Sequence, residues 1–275
     1  MKLPLTIIAL LSIVVLASCS TNNKDKENKI AQIEQQHKWD TLIAIQDCQQ
    51  QMSAELFAGQ NDELLNKILP EGYADASINV FLLKGEKNIV LFDAGLGESR
   101  HGMLLSKLDS LGITPDQITD ICITHFHGDH IGGLLDINDN AVFPKAKLYF
   151  SKTEYEAWTT GALQEQNQSV NTMLEAYKNR YVTFEAGDTI IDGIVTISAP
   201  GHTPGHTMYD TGNEIIVGDL LHAVALQVEH PEFSARYDYD AKLASETRIA
   251  ILEKAKTTHK PLAGMHFPYP HILKF

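Results

Sequence analysis

The chain has 275 residues, of which 44% are hydrophobic, and carries a formal net charge of -13. That is enough apolar material for one large domain with a full core. The negative charge and the absence of clustered Lys or Arg exclude nucleic acid as a partner, because phosphate binding needs a concentrated basic face.

In chain order, Met1-Lys2-Leu3-Pro4 and the apolar run to Leu16 have the one charge and short apolar core of a secretory signal, too short for a comfortable membrane span. Leu16-Ala17-Ser18-Cys19 resembles the lipobox of bacterial lipoproteins. The resemblance implies that residues 1–19 are a lipoprotein-type signal peptide, with Cys19 the lipidated first residue of an exported cell-envelope protein, periplasm-facing or on the surface. Membrane contact would then run through the N-terminal lipid only. An ordinary cleaved signal peptide or an uncleaved anchor would also export the chain. Residues 20–38 are polar and charged, too poor in apolar side chains to order themselves, and read as a disordered tether. Residues 39–275 form the remaining domain.

Trp39 to Ile45 reads as a first strand, and Ile78 to Leu83 with Asn88 to Asp93 as a hairpin around Gly85, after a helical or irregular insert. Met103 to Leu108 has helical spacing and a plausible cap at Gly112. Ile118 to Ile123 is a strand, as is Lys147 to Ser151, followed by helices at Thr153 to Trp158 and Val170 to Lys178. Thr189 to Ile197 looks like a hairpin turning at Asp192-Gly193. Glu214 to Asp219 is a short buried strand, and Asp240 to Lys256 an amphipathic helix. Cys48 and Cys122 each sit in an apolar stretch; an exported chain could bridge them, but separate core positions fit better. Strands and helices in two similar halves predict an α/β (α+β) fold, an αββα four-layer sandwich of two mixed sheets packed face to face with helices outside.

The strand at Ile118 to Ile123 runs into Thr124-His125-Phe126-His127-Gly128-Asp129-His130. Imidazole and carboxylate suit zinc, and alternate residues leaving a strand project to one side, so His125 and His127 can reach one ion together. Asp129 and His130 fall beyond them, suited to a second ion. Four more segments place a metal-capable side chain just after an apolar strand: Asp93, His202 in Pro200-Gly201-His202-Thr203-Pro204-Gly205-His206, Asp219, and His266 in Gly264-Met265-His266-Phe267-Pro268.

From about Ile43 onward the chain resembles the metallo-β-lactamase superfamily, whose hallmark is His-x-His-x-Asp-His followed by separate His, Asp and His ligands. The resemblance implies two Zn2+ ions, other divalent metals being compatible. His125, His127 and His202 would hold one, Asp129, His130 and His266 the other, and Asp219 would bridge them. It leaves His206 to hydrogen bonding and packing, and Asp93 to orienting a ligand histidine. Two such ions about 3.5–4 Å apart share a water and lower its pKa towards neutrality, supplying a bridging hydroxide as nucleophile. Asp129 beside it would be the catalytic proton carrier.

Within the superfamily, Gly128 stands where flavodiiron relatives carry an acid, Asp219 is absent from true zinc β-lactamases, and the motifs of the nuclease branch are missing. What remains is hydrolysis of a small ester-like substrate: a lactone, ester or organophosphate. The segments Gly218 to Gln227 and Gly264 to Pro270 are similar to exported acyl-homoserine lactonases and methyl-parathion-hydrolase-like enzymes. Those lactonases place a Tyr at the position of His222, which implies that His222 points into the pocket as a second catalytic group. Phe126, Phe267 and Tyr269 flank ligand positions and would form an aromatic pocket wall. Pro270 to Phe275 departs from the relatives, which leaves the final strand unassigned. Other readings are a glyoxalase II-like thioesterase, a mononuclear iron persulfide dioxygenase, and a non-catalytic ligand-binding lipoprotein. Apolar segments could hide a homodimer face, though none singles itself out.

Overall fold

The computed structural model describes residues 39–275; the signal, lipidation and tether expectations lie outside the described residues. Among the described residues no helix is long and apolar enough to cross a membrane.

Strand β1 (Ile43–Ser53) pairs antiparallel with β2 (Tyr73–Lys84). The insert between them carries helix α1 (Asp62–Ile68), started by Asn61, whose side chain accepts from the Leu64 N–H. β2 turns at Gly85 into β3 (Ile89–Phe92), again antiparallel. From there the sheet is parallel, as expected where helical crossovers link strands. Helix α2 (Leu104–Ser110) leads to β4 (Asp120–Cys122), and the short α3 (Gly128–Ile131) precedes β5 (Lys147–Ser151). α4 (Lys152–Thr159) and α5 (Gln168–Ala176) cross over to β6 (Tyr181–Phe184). The first sheet is thus β1-β2-β3-β4-β5-β6.

The second sheet takes β7 (Val195–Ser198), β8 (Thr207–Asp210), β9 (Ile215–Ile216), β10 (Leu262–Ala263) and β11 (Ile272–Leu273), in the order β11-β10-β9-β8-β7. β9 and β10 are parallel because α6 (Val224–Gln227) and the long α7 (Ala241–Thr258) intervene. Asp240 caps α7, its side chain accepting from the Leu243 N–H.

Alternation along β2 assigns the layers. Phe81 and Leu83 face the second sheet, packing with Phe92 and Cys122 against Tyr209, Ile216, Ala263 and Met265. Val80 and Leu82 face the other way, into a core capped by Leu104 and Leu108 of α2, Trp158 of α4 and Met173 of α5. Leu252 and Ala255 of α7 cover the outer face of the second sheet over Met208, Ile215 and Leu262. Burying each such Leu, Ile or Phe contributes about 1.5–3 kcal/mol, and a stretch buried on both faces reads as a continuous apolar run, as Val80 to Leu83 of β2 does. The layers are helix, sheet, sheet, helix, and both sheets are mixed, as predicted.

The local differences have physical causes. The first strand starts at Ile43 rather than Trp39 and continues through the polar stretch to Ser53, because β2 supplies a partner along its whole length. The hairpin expected over Thr189 to Ile197 reduces to one bridge between Thr189 and Val195, since Asp192 and Gly193 both adopt positive φ within a tight 3-10 turn. β6 and β8 were not expected. The final strand exists as β11, paired with β10. Cys48 and Cys122 are free. They lie in β1 and β4, which two strands separate, a spacing well beyond the reach of a disulfide at about 4.8 Å per strand.

Candidate metal centre

The site lies where β3, β4, β9 and β10 end. Asp93 follows β3 with φ 61 and accepts from the Thr124 N–H at 2.7 Å and the Thr124 hydroxyl at 2.8 Å. That pair fixes how the chain leaves β4 and where His125 and His127 start. Gly218, just beyond β9, also has positive φ (55°), and a Cβ there would collide with His206. The loop therefore needs glycine to turn Asp219 inward.

Six histidines and three aspartates converge. The Nε2 atom of His202 lies 3.1 Å from His125 Nε2 and 2.9 Å from His127 Nδ1, and those two atoms are themselves 2.9 Å apart. Asp219 reaches across the centre: Oδ1 is 3.1 Å from His130 Nε2, while Oδ2 is 3.2 Å from His202 Nε2 and 3.0 Å from His266 Nε2. Asp129 Oδ2 stands 3.7 Å from His130 Nε2 and 3.6 Å from His266 Nε2. The residues group as His125, His127, His202 and Asp219, and as Asp129, His130 and His266, with donor atoms within 4.8 Å of one another in each group.

This donor set fits divalent cations. Three imidazole nitrogens facing one another at hydrogen-bond distance cannot all be satisfied by one another, and His130 Nε2 and Asp219 Oδ1 are buried without a hydrogen-bond partner. A cation held by each group would satisfy the lone pairs that these atoms cannot share with one another. The charges agree: burial alone would raise Asp219, but His130, His266, His125 and His202 hold its carboxyl well below the usual range. Burial lowers His202, yet Asp219 and Asp238 outweigh it and raise the imidazole to about 9. Burial, followed by the neighbouring His202, takes His127 down to about 3.

Partners behind the rings fix their orientation. His130 Nδ1 is 2.6 Å from Asp93 Oδ2, His202 Nδ1 is 3.0 Å from Asp238 Oδ1, and His266 Nδ1 is 3.0 Å from the Ser77 carbonyl. His206 faces away from the cluster: its Nδ1 donates to the Ala199 carbonyl at 2.9 Å and its Nε2 accepts the Asp219 N–H at 3.0 Å. Asp238 is itself held by Arg248, which is 1% exposed and also donates to the carbonyls of Leu220, Pro231 and Phe233. Sequence reasoning missed Asp238, Arg248 and the buried Glu154. Arg248 had a signal: it falls on the Ala244, Leu252, Ala255 stripe that α7 buries.

A cleft of about 690 Å³ opens over the cluster, lined by His127, Asp129, His202, Asp219 and His266 and walled by Gln50, Met52, Leu56, Leu96, Arg100 and Tyr237. The three expected wall aromatics do not line it. Phe126 points into the helix-side core against Phe150, Phe267 packs under β10, and Tyr269 is 85% exposed. Residues alternate sides on leaving a strand, so the neighbour of an inward ligand faces the core. His222 is also displaced from its expected place. It is fully buried beside Asp219, Nε2 to Oδ2 at 3.3 Å, with its ring stacked on His266, and does not line the cleft.

The chain matches the metallo-beta-lactamase superfamily over residues 74–258 and belongs to it. Among solved structures it is similar to AidC, a dizinc quorum-quenching lactonase in complex with a product, N-hexanoyl-L-homoserine, at TM-score 0.75 and 28% identity over 86% of this chain and 92% of that one. AbOPH, a hydrolase in the beta lactamase superfamily, matches at TM-score 0.76 and 30% identity over the same shares. An N-acyl homoserine lactonase of Bacillus thuringiensis is 28% identical over 148 residues, 46% of this chain and 54% of that protein. YobT of Bacillus subtilis (strain 168), an uncharacterized protein, is 29% identical over 153 residues, 52% of this chain and 62% of YobT. The chain thus spans less than two thirds of the length of these two curated relatives.

Proposed function

We propose that this protein is a dinuclear zinc hydrolase of a small ester-like substrate, with a lactone favoured over an aryl ester or organophosphate. The observation that carries the reading is two groups of donor atoms with the Asp219 carboxylate between them, within 3.0–3.2 Å of His202 on one side and His130 and His266 on the other. His125, His127 and His202 hold one ion, Asp129, His130 and His266 the other. Ions so placed supply, when bound, an ionised water at neutral pH and a Lewis acid for the carbonyl under attack. Asp129, 29% exposed at the floor of the cleft, is the carboxylate placed to carry a proton to the leaving group. His222, closed off from the cleft, acts by steadying Asp219. Tyr237, half-exposed and with its ring centroid 5.8 Å from that of His222, is the phenol that faces the substrate. A lactone is favoured because the lactonase relatives act on that class, and the cleft offers both apolar walls (Met52, Leu56, Leu96) and amide side chains (Gln50, Gln51, Gln166). On the lipobox sequence we place the protein in the cell envelope, tethered by Cys19.

The test uses the full chain, purified in detergent and reconstituted with zinc, against long- and short-chain lactones, aryl esters, a phosphotriester, a thioester and a β-lactam. Two zinc ions per chain, lactone turnover and its loss in His130→Ala are expected. One iron per chain, or turnover unchanged in that variant, would remove the reading.

A further inference from the structure

We propose that Glu154 is the positioning residue that sets the spacing of His125, His127 and His202, by clamping the two histidine loops to opposite oxygens of one carboxylate. The inference rests on the two-metal reading above. Glu154 sits in the first turn of α4 and is fully buried. Its Oε1 accepts the Phe126 N–H at 3.0 Å and the Trp158 indole N–H at 2.7 Å. Its Oε2 accepts the Thr203 hydroxyl at 2.7 Å and the Gly205 N–H at 3.0 Å.

Phe126 lies between His125 and His127, and Thr203 follows His202. Each oxygen therefore grips a different histidine loop, and the side chain touches none of the histidines. Three of its four partners are N–H groups that can only donate, and the Thr203 hydroxyl completes the set, so two bare carboxylate oxygens match the site. Burial raises this carboxyl and the four hydrogen bonds work against that rise, with no Lys or Arg among the causes. The acceptors are also held in place: Ser151 caps α4 by accepting from the Thr153 and Glu154 N–H groups. Gly205 approaches so closely that a Cβ there would collide with the Glu154 backbone. Asp129, His130 and His266 are held by other groups, Asp93 and the Ser77 carbonyl among them, so the clamp acts on one half of the centre only.

Glu154→Gln keeps the shape but turns an amino group towards one pair of donors. The prediction is a split between the two ions: full-length protein titrated with zinc against a competing chelator binds one ion as the wild type does and the other about 10–100-fold more weakly. Thr203→Val shifts the same ion by less. In a His202→Ala background, where only the other ion remains, Glu154→Gln leaves its affinity unchanged. Retention of both ions within about twofold in Glu154→Gln and Thr203→Val overturns the clamp, as does equal loosening of both ions. Should Glu154→Gln fail to fold, Thr203→Val decides alone. A wild type that binds no zinc would instead remove the two-metal reading itself.

Discussion

The two halves of the centre are built differently. Around His202 the three nitrogens lie 2.9–3.1 Å apart, His125 is fully buried, and the supporting groups reach in from α4 and α7. Around His130 the carboxylate of Asp129 stands back at 3.6–3.7 Å and opens on the cleft. One half is tightly spaced and braced by side chains from distant elements, with His127 and His202 also reaching the cleft. The other is looser and leaves room beside the ligands, as a site that must admit a substrate requires. The support differs as well: Glu154 and the Asp238–Arg248 pair brace the tight half, His130 and His266 lean on Asp93 and the Ser77 carbonyl, and Asp93, through Thr124, bears on both.

Three substitutions break or sharpen this contrast. Asp238→Ala should have the largest effect, because it frees His202 and strands the buried Arg248. Removing one partner of a buried pair costs about 3–5 kcal/mol, read as a lower urea midpoint in the metal-free protein. Asp93→Asn attacks the open half. It should weaken the ion held by His130 about 10–100-fold in a chelator competition, with a smaller stability loss than Asp238→Ala. Tyr269→Ala is the weakest: the exposed ring should change stability by no more than about 0.5 kcal/mol and leave KM unaltered. A raised KM would restore Tyr269 to the substrate wall.

The fold class and the convergence of His125, His127, Asp129, His130, His202, Asp219 and His266 were legible because strand ends and short motifs carry local signals. The pocket wall was not, since whether Phe126 faces cleft or core depends on side-chain direction after β4. A histidine at position 222 carries hydrogen-bonding atoms at its ring, and the chain alone does not show that the ring stops short of the cleft. Asp238 and Glu154 were hidden for another reason: the groups of the histidine loops that they hold lie 36 and 28–51 residues away, and no periodicity records such pairs.

Arg248 ties the site to the long helix α7. The stretch from Leu220 to Asp238 has one turn of helix, α6, and is otherwise held by local turns and by Gln227, which accepts from the His222 and Ala223 N–H groups and donates to the Phe233 carbonyl. Its carbonyls at Leu220, Pro231 and Phe233 and its carboxylate at Asp238 are collected by one guanidinium that arrives 10 to 28 residues later on α7. Those contacts exist only with the long helix docked. The orientation of His202 therefore depends on the packing of α7, and a chain cut before α7 has the histidine loops without the guanidinium that braces Asp238.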